Sequence, residues 1–163
     1  MDFQTAKETG RQGEQLVISW LTHRGWTLID TSDHQFFQEN DIDVVVQKDK
    51  EVFTIDVKTD THPAKNFFIE IISNDNKNTP GCIFTTRADY WFYYFRDSSL
   101  VYIFRPEDVR NQLDEWDYPA IMTKTTGSSG TLYHSVGALI PVEDVPVVQK
   151  IGIKTEPMEC YNV

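Results

Sequence analysis

One stretch, residues 40–58, constrains the fold of this 163-residue chain more than any other. It holds two runs rich in β-branched residues, 43–47 (DVVVQ) and 51–57 (EVFTIDV), on either side of the polar tetrad 47–50 (QKDK). Such runs favour strands, and a charged segment between two of them is typical of a hairpin turn. The sequence therefore predicts two antiparallel strands that fold back on each other.

Three chemically active side chains fall at one end of this predicted hairpin. Side chains alternate across a strand, so Asp56 and Lys58, two residues apart, point to the same face. Asp43 opens the first strand and should lie beside the end of the second. Asp41 is an alternative to Asp43, but Asp43 is preferred because the apolar run 44–46 follows it at once. Two carboxylates and one ammonium group are thus expected to meet at one end of a sheet.

An amphipathic helix is predicted over residues 6–24. Its apolar stripe consists of Val17, Ile18 and Leu21, with Trp20 beside it. Glu14 lies three, four and seven residues before these positions and therefore on the same inward face. A carboxylate that faces a core needs a partner, and a metal ion supplies one. Gly10 lies on that face and Gly13 at its flank, where the lack of a side chain would allow the sheet to approach closely.

The rest of the chain is predicted to continue the same domain. Further strands are predicted over residues 26–29, 66–72, 90–95, 100–104 and 131–142, a second helix over 106–116, and loops over 74–81 and 123–130. The strands 90–95 and 100–104 form a second hairpin, and because both are apolar on both faces we expect them inside the sheet. The length suits one domain over residues 1–163, with a core of about 6–116 and an extension of about 117–163.

Composition narrows the class of protein. The net charge is −10, with 25 acidic and 15 basic residues, which argues against a protein that coats nucleic acid but not against an enzyme that gathers carboxylates around a cation. Cys82 and Cys160 lie far apart, so a disulfide scaffold and a cysteine-rich zinc site are not expected. The sequence has no signal pattern and no apolar run of about 20 residues. We expect a soluble, cytoplasmic protein with two reduced cysteines.

The predicted arrangement resembles the PD-(D/E)xK nuclease superfamily, which includes restriction endonucleases and archaeal Holliday-junction resolvases. The residues that match its motif are Glu14, Asp43, Asp56 and Lys58. Ile42 stands where many members have proline, and the resemblance covers roughly residues 8–75. It implies an α/β fold with a restriction-endonuclease-like core, in which a mixed central sheet of about four to six strands is flanked by helices.

The same resemblance implies a function. It indicates an endonuclease that depends on Mg²⁺ or Mn²⁺ and hydrolyses phosphodiester bonds in DNA, with Glu14, Asp43 and Asp56 as metal ligands and Lys58 as the catalytic ammonium group. Members commonly act as dimers, so a homodimer is expected. The alternative is a catalytically inactive module that keeps the nuclease fold and binds nucleic acid or a protein partner. The motif does not determine which DNA structure is preferred.

Several other residues are secondary candidates. Those expected to contact nucleic acid are Arg11, Lys65 and Lys77, with Arg11 preferred because it lies one turn before Glu14. Glu70 either joins the metal site or faces solvent at a bend. Asp60 lies two residues after Lys58 and would share its face in a continued strand, but it is expected beyond the strand, in a loop. His34 and His62 flank the motif and either touch substrate or are ordinary histidines. The aromatic run 90–95 is expected in the core.

Overall fold

Two β-sheets and four α-helices make up the structure, a computed structural model that describes residues 3–31, 33–113, 117–127 and 130–153. In chain order the elements are α1 (Phe3–Thr22), β1 (Thr27–Ile29), α2 (Gln35–Glu39), β2 (Val44–Lys48), β3 (Glu51–Asp60), β4 (Asn66–Asn74), β5 (Thr79–Pro80), α3 (Cys82–Thr85), β6 (Tyr90–Phe95), a 3-10 turn (Arg96–Ser98), β7 (Leu100–Phe104), α4 (Pro106–Leu113), β8 (Ala120–Thr126), β9 (Leu132–Pro141) and β10 (Gln149–Gly152).

The first sheet is mixed and has six strands in the order β1-β2-β3-β6-β7-β10. Strands β3 and β6 are parallel, and the other neighbouring pairs are antiparallel. Both predicted hairpins, β2–β3 and β6–β7, are confirmed, and β6 and β7 lie inside the sheet as expected. The chain is therefore an α/β protein with a mixed central sheet and flanking helices, which confirms the predicted fold class.

A second sheet of four strands, in the order β5-β4-β9-β8, had not been foreseen as a separate layer. The predicted loop over 123–130 was wrong in its first half, because β8 extends through Thr126 and pairs with β9. The β-branched residues of that segment suit an extended strand, and pairing with β9 outweighs the turn-like composition that follows. The sequence also did not predict four short elements, the strands β5 and β10 and the helices α2 and α3.

The two faces of the central sheet pack against different layers. Helix α1 covers one face, where Val17 and Leu21 meet the apolar side chains of β2, β3 and β6. The second sheet covers the other face, where Phe67 of β4 contacts four aromatic rings of β6 and β7. The aromatic run 90–95 is therefore core, as predicted, and its offset and edge-on ring contacts add to the burial of apolar area.

Both predicted helices are present, and α1 begins three residues before and ends two residues before its predicted bounds of 6–24. Helix α4 ends at Leu113, and the last predicted residues, 114–116, lie outside the described residues. Residues 154–163, which include Cys160, also lie outside them. Cys82 is a free thiol. Among the described residues, no helix combines the length and apolar character that crossing a membrane would take.

The closest approach of α1 to the sheet occurs at Gly13. A Cβ atom at Gly13 would stand 2.0 Å from Oγ1 of Thr59 in β3, whereas a Cβ at Gly10 would meet nothing within 4 Å. The expected close approach is thus correct for Gly13 and wrong for Gly10, where α1 has already moved away from the strand. Gly13 is required because the helix must come this near to place its next residue, Glu14, beside the end of β2.

We expect Gly13→Ala to lower the free energy of unfolding by about 1–3 kcal/mol, because Thr59 must move away from the added methyl group. Gly10→Ala is the matched control and should be neutral or raise stability by up to about 1 kcal/mol, since alanine favours a helix over glycine. Urea denaturation measures both. A Thr59→Ala background should recover much of the loss, and equal effects of the two glycine changes would contradict the packing.

Candidate active site at the ends of strands β2 and β3

Asp43 and Asp56 lie directly opposite each other at the open end of the β2–β3 hairpin. The register pairs Val44 with Ile55, so the next pair outward is Asp43 and Asp56. The amide of Asp43 donates to the Ile55 carbonyl at 3.0 Å, and Oδ2 of Asp43 accepts a hydrogen bond from the Val57 amide at 2.7 Å. The Asp43 carboxylate thus accepts the hydrogen bond that a backbone carbonyl of β2 would accept in a regular sheet. This fixes it on the same side as Asp56.

Asp56 and Lys58 form an ion pair inside this site. Lys58 Nζ lies 2.8 Å from Asp56 Oδ1, with the Asp56 side chain 1% exposed and the Lys58 side chain 28% exposed. The ammonium also lies 5.4 Å from the centre of the Trp91 ring, a cation–π distance. The second oxygen, Asp56 Oδ2, is buried and finds no hydrogen-bond partner among the described residues. A buried carboxylate with one oxygen unsatisfied is costly unless a cation meets it.

The titration of this pair follows from its burial. Burial raises the pKa of Asp56 to about 7, although Lys58 opposes the rise, and the nearby Asp43 carboxylate adds to it. Burial lowers the pKa of Lys58, but the Asp56 carboxylate outweighs this effect and the net shift is upward. Lys58 therefore stays charged, and Asp56 changes charge near neutral pH unless a further cation holds it ionised.

Glu14 reaches the site from the other side, on α1. Glu14, Asp41 and Asp43 line a common cavity of about 370 Å³. The pKa of Glu14 is raised, first by burial and then by Asp43, while Arg11 and Lys58 lower it. The structure thus brings Glu14 and Asp43 together as the sequence predicted, and three carboxylates crowd a small region.

Asp41, the alternative to Asp43, has a structural role. Its carboxylate accepts a hydrogen bond from the Thr85 hydroxyl, and its carbonyl accepts one from the Thr86 hydroxyl at 3.3 Å. Its φ of 50° places it in the left-handed region, at the bend that leads into β2. The side chain that faces Asp56 is that of Asp43, which favours Asp43 as the second acid of the hairpin.

Glu70 belongs to the second sheet and is half-buried within strand β4 rather than facing solvent at a bend. It lines a larger cavity that also includes Lys58, Cys82 and Trp91. Its Oε1 accepts a long hydrogen bond of 3.4 Å from the Cys82 amide. Burial raises the pKa of Glu70, while the Cys82 amide, the Ser135 hydroxyl and the charge of Lys58 lower it. Glu70 is therefore a further acid near the ammonium group of Lys58.

The three basic residues predicted to meet nucleic acid lie in different places. Arg11 is exposed on α1, one turn from Glu14, and its charge lowers the pKa of Glu14. Lys65 is exposed in the connection between β3 and β4 and lines the larger cavity. Lys77 is exposed in the turn between β4 and β5 and lines neither of these two cavities. The structure groups the first two with the acids and sets Lys77 apart.

The expectation that Asp60 lies in a loop was wrong, because β3 continues through it. Pairing with β6 extends β3, and Asp60 shares the face of Asp56 and Lys58. Its Oδ2 accepts a hydrogen bond from the Tyr93 hydroxyl at 3.0 Å, and its Oδ1 lies 2.7 Å from His62 Nδ1. The alternation D-x-K-x-D in the sequence was the signal for this extra position.

His34, by contrast, precedes α2 and contacts the Phe37 ring.

The donor set suits a hard divalent cation. Among the described residues, no three His, Cys, Asp or Glu side chains are already arranged as a complete ligand group. The unsatisfied Asp56 oxygen, the facing Asp43 carboxylate and the raised pKa of both Glu14 and Asp56 all indicate uncompensated negative charge. Mg²⁺ prefers one or two carboxylates and keeps several waters, so these residues fit Mg²⁺ or Mn²⁺.

Comparison with known proteins adds one structural likeness. No protein-family model matches the chain, and no curated protein matches it in sequence. A solved structure similar to it is that of the bacterial homing endonuclease I-Ssp6803I, with 16% sequence identity and a TM-score of 0.47. The likeness covers 62% of this chain and 69% of that chain.

Proposed function

We propose that this protein is a metal-dependent endonuclease of the PD-(D/E)xK type that hydrolyses phosphodiester bonds in DNA. The observation that carries the proposal is the group at the hairpin end, where buried Asp56 faces Asp43 and holds Lys58 at 2.8 Å. A structural ion pair would not need a second carboxylate opposite the first, nor a buried Asp56 oxygen without a hydrogen-bond partner. A phosphodiesterase site needs these groups together.

Each residue of the proposed site has a role that follows from its chemistry. Asp43, Asp56 and Glu14 would hold Mg²⁺ or Mn²⁺, and such an ion, when bound, supplies an acidified water and neutralises charge on the phosphoryl oxygens. Asp56 also orients Lys58 through their ion pair. The Lys58 side chain is part-exposed and lines the larger cavity, where a substrate phosphate would meet its ammonium group. There it stabilises the negative charge that develops on the phosphate.

Lys58→Met tests the proposal because it removes the ammonium group and keeps an aliphatic stem over Trp91. With Mn²⁺ or Mg²⁺ we expect the wild-type protein to cleave at least one DNA among linear, circular, single-stranded and four-way forms. Lys58→Met should reduce the rate by about 10²-fold or more. Lys50→Met, in the exposed turn of the same hairpin, is the matched control and should cleave like the wild type.

Two results would count against the proposal. If the wild type and Lys58→Met are equally inert on every DNA with both metals, the protein is not this kind of nuclease. If Mn²⁺ raises the melting temperature of the wild type and not of Asp56→Ala, yet no DNA is cut, the alternative of an inactive nuclease-fold module becomes the better account. Chelation by EDTA should abolish any cleavage that the wild type shows.

A further inference from the structure

A cleft larger than the site itself begins at Lys58. It has a volume of about 1450 Å³ and lies between the end of β3, the connection that follows it and the second sheet. Lys58 both pairs with Asp56 and lines this cleft, so the cleft begins beside the carboxylates of the hairpin end. Of the residues in the proposed mechanism, Lys58 lines the cleft, whereas Glu14, Asp43 and Asp56 do not.

One wall of the cleft is the outward face of the second sheet. In strands β4 and β9 the alternate residues Phe67, Ile69 and Ala138 are buried in the core. The residues between them, with those in register on β8, line the cleft: Phe68, Glu70, Ile121, Thr123, Thr125 and Leu139. The wall is therefore a mixture of apolar and hydroxyl side chains with one acid, and it leads away from Lys58.

The ring of Phe68 is held in place on this wall. A Cβ atom at Gly137 would stand 2.4 Å from Cε2 of Phe68, so the ring lies directly over the backbone of Gly137 in the neighbouring strand. The ring is only part-buried and borders the cleft. An aromatic ring fixed by packing beside an open groove is a surface on which a flat base can stack.

Positive charge reaches the cleft from three elements. Lys58 lies on β3 and Lys65 on the β3–β4 connection, and Lys124 borders the cleft at the edge strand β8, on the opposite face of that strand from Thr123 and Thr125. The acids of the lining are Asp60 and Glu70. The lining thus has one more lysine than acid, with Lys58 also paired to Asp56, whereas the whole chain has a net charge of −10. A polyanion therefore meets less repulsion in this groove than over the acidic rest of the surface.

His62 borders the cleft and is held in one orientation. Its amide and its Nδ1 lie 2.8 and 2.7 Å from Oδ1 of Asp60, whose Oδ2 accepts from the buried Tyr93 hydroxyl. The imidazole is 84% exposed, so Nε2 is left to meet a ligand. Because Nδ1–H donates to the Asp60 carboxylate, Nε2 carries a proton only in the imidazolium form, and in that form it donates to a phosphate oxygen two residues beyond the end of β3.

The number of positively charged side chains in the cleft favours a single DNA strand over a duplex as its ligand. A protein that makes about 6–10 phosphate contacts on duplex DNA needs a similar number of cations, and this cleft offers three lysines, one of them paired with Asp56, and a histidine that is charged only when protonated. A stacking ring and an apolar wall gain little from a duplex, whose bases are already stacked. Resting on the proposed nuclease function, we propose that the cleft binds one unpaired DNA strand next to the scissile phosphate, with His62 and Lys124 on phosphates and Phe68 against a base.

Fluorescence anisotropy in EDTA tests this without cleavage. A labelled 12-nucleotide single strand should bind the wild type about tenfold or more tightly than the duplex of the same sequence. With three lysine contacts, the slope of log K against log salt should be about −2 for the single strand. Lys124→Ala should weaken binding about threefold or more and make the slope shallower by about 0.7, and Phe68→Leu should weaken it about fivefold or more.

Lys77→Ala is the matched control, an exposed lysine outside the cleft, and should leave binding and slope unchanged. Tighter binding of the duplex, or equal effects of Lys124→Ala and Lys77→Ala, would overturn the inference. The measurements are independent of catalysis. A protein that binds the single strand through Lys124 but never cuts DNA would refute the proposed nuclease function and support the cleft assignment. A protein that cuts DNA but binds the duplex more tightly would support the nuclease function and refute the cleft assignment.

Discussion

Asp56→Asn is expected to abolish metal-dependent cleavage of DNA and also to make the metal-free protein more stable at pH 8. Both effects have one cause, because the site keeps a carboxylate where burial disfavours its charge. Asparagine has the same shape, its oxygen still accepts from Lys58, and its amide can donate to the facing Asp43. It cannot supply the anionic oxygen that a divalent cation needs, so cleavage should fall by about 10³-fold or more.

The stability effect has a definite sign. The pKa of Asp56 is raised from 3.8 to about 7 in the folded protein. Between pH 4 and 7 the unfolded chain therefore releases this proton while the folded protein keeps it. The free energy of unfolding falls as pH rises through that window, by up to about 1.4 kcal/mol for each pH unit and a few kcal/mol in all from this group. The contribution is complete below pH 4 and is lost by pH 7.

Urea denaturation from pH 4 to 8 in EDTA measures this directly. The wild type should lose stability toward pH 8 more steeply than Asp56→Asn, so the variant should be the more stable of the two at pH 8. Glu51→Gln, at the exposed start of the same strand, is the control and should follow the wild type. A variant that is less stable at pH 8, with an unchanged pH profile, would show that Asp56 is an ordinary ion-pair residue. That outcome would remove the argument for a bound cation.

Gly81→Ala should cause the largest loss of stability of any single methyl group added to the chain's glycines. Its Cβ would stand 2.2 Å from the Glu70 carbonyl oxygen and 2.6 Å from the Ile71 carbonyl carbon. Both are backbone atoms of β4, so rotation of a side chain cannot relieve the collision. We expect the free energy of unfolding to fall by about 3 kcal/mol or more.

The cause is contact and not backbone conformation, because the φ of Gly81 is −72°, a value that alanine adopts readily. Gly152→Ala is the control, since its Cβ would meet nothing within 4 Å, and it should change stability by less than about 1 kcal/mol. Thermal unfolding of both variants checks the difference. Because Gly81 lies between Glu70 and the start of α3, its substitution should also disturb the cleft beside Lys58. Equal melting temperatures for the two variants would contradict this packing.

Local periodicity was enough to place the central group of the site. The alternation of two along β3 puts Asp56 and Lys58 on one face, and the turn between β2 and β3 returns Asp43 to the same end. The period of the helix likewise directs Glu14 inward with Val17 and Leu21. These residues are near one another in the sequence, or are linked by one turn, so the covalent chain itself limits where they can go.

The second sheet, the cleft and the surroundings of Lys58 were decided by tertiary structure. Pairing of β4 with β9, about seventy residues later in the chain, creates the wall that carries Phe68 and Glu70, and the parallel pairing of β3 with β6 brings Tyr93 to Asp60. A strand's sequence shows which side chains share a face, but not which strand it will pair with. The choice of pairing partner depends on how much surface many residues, distant in the sequence, bury together, and this is known only from the tertiary structure.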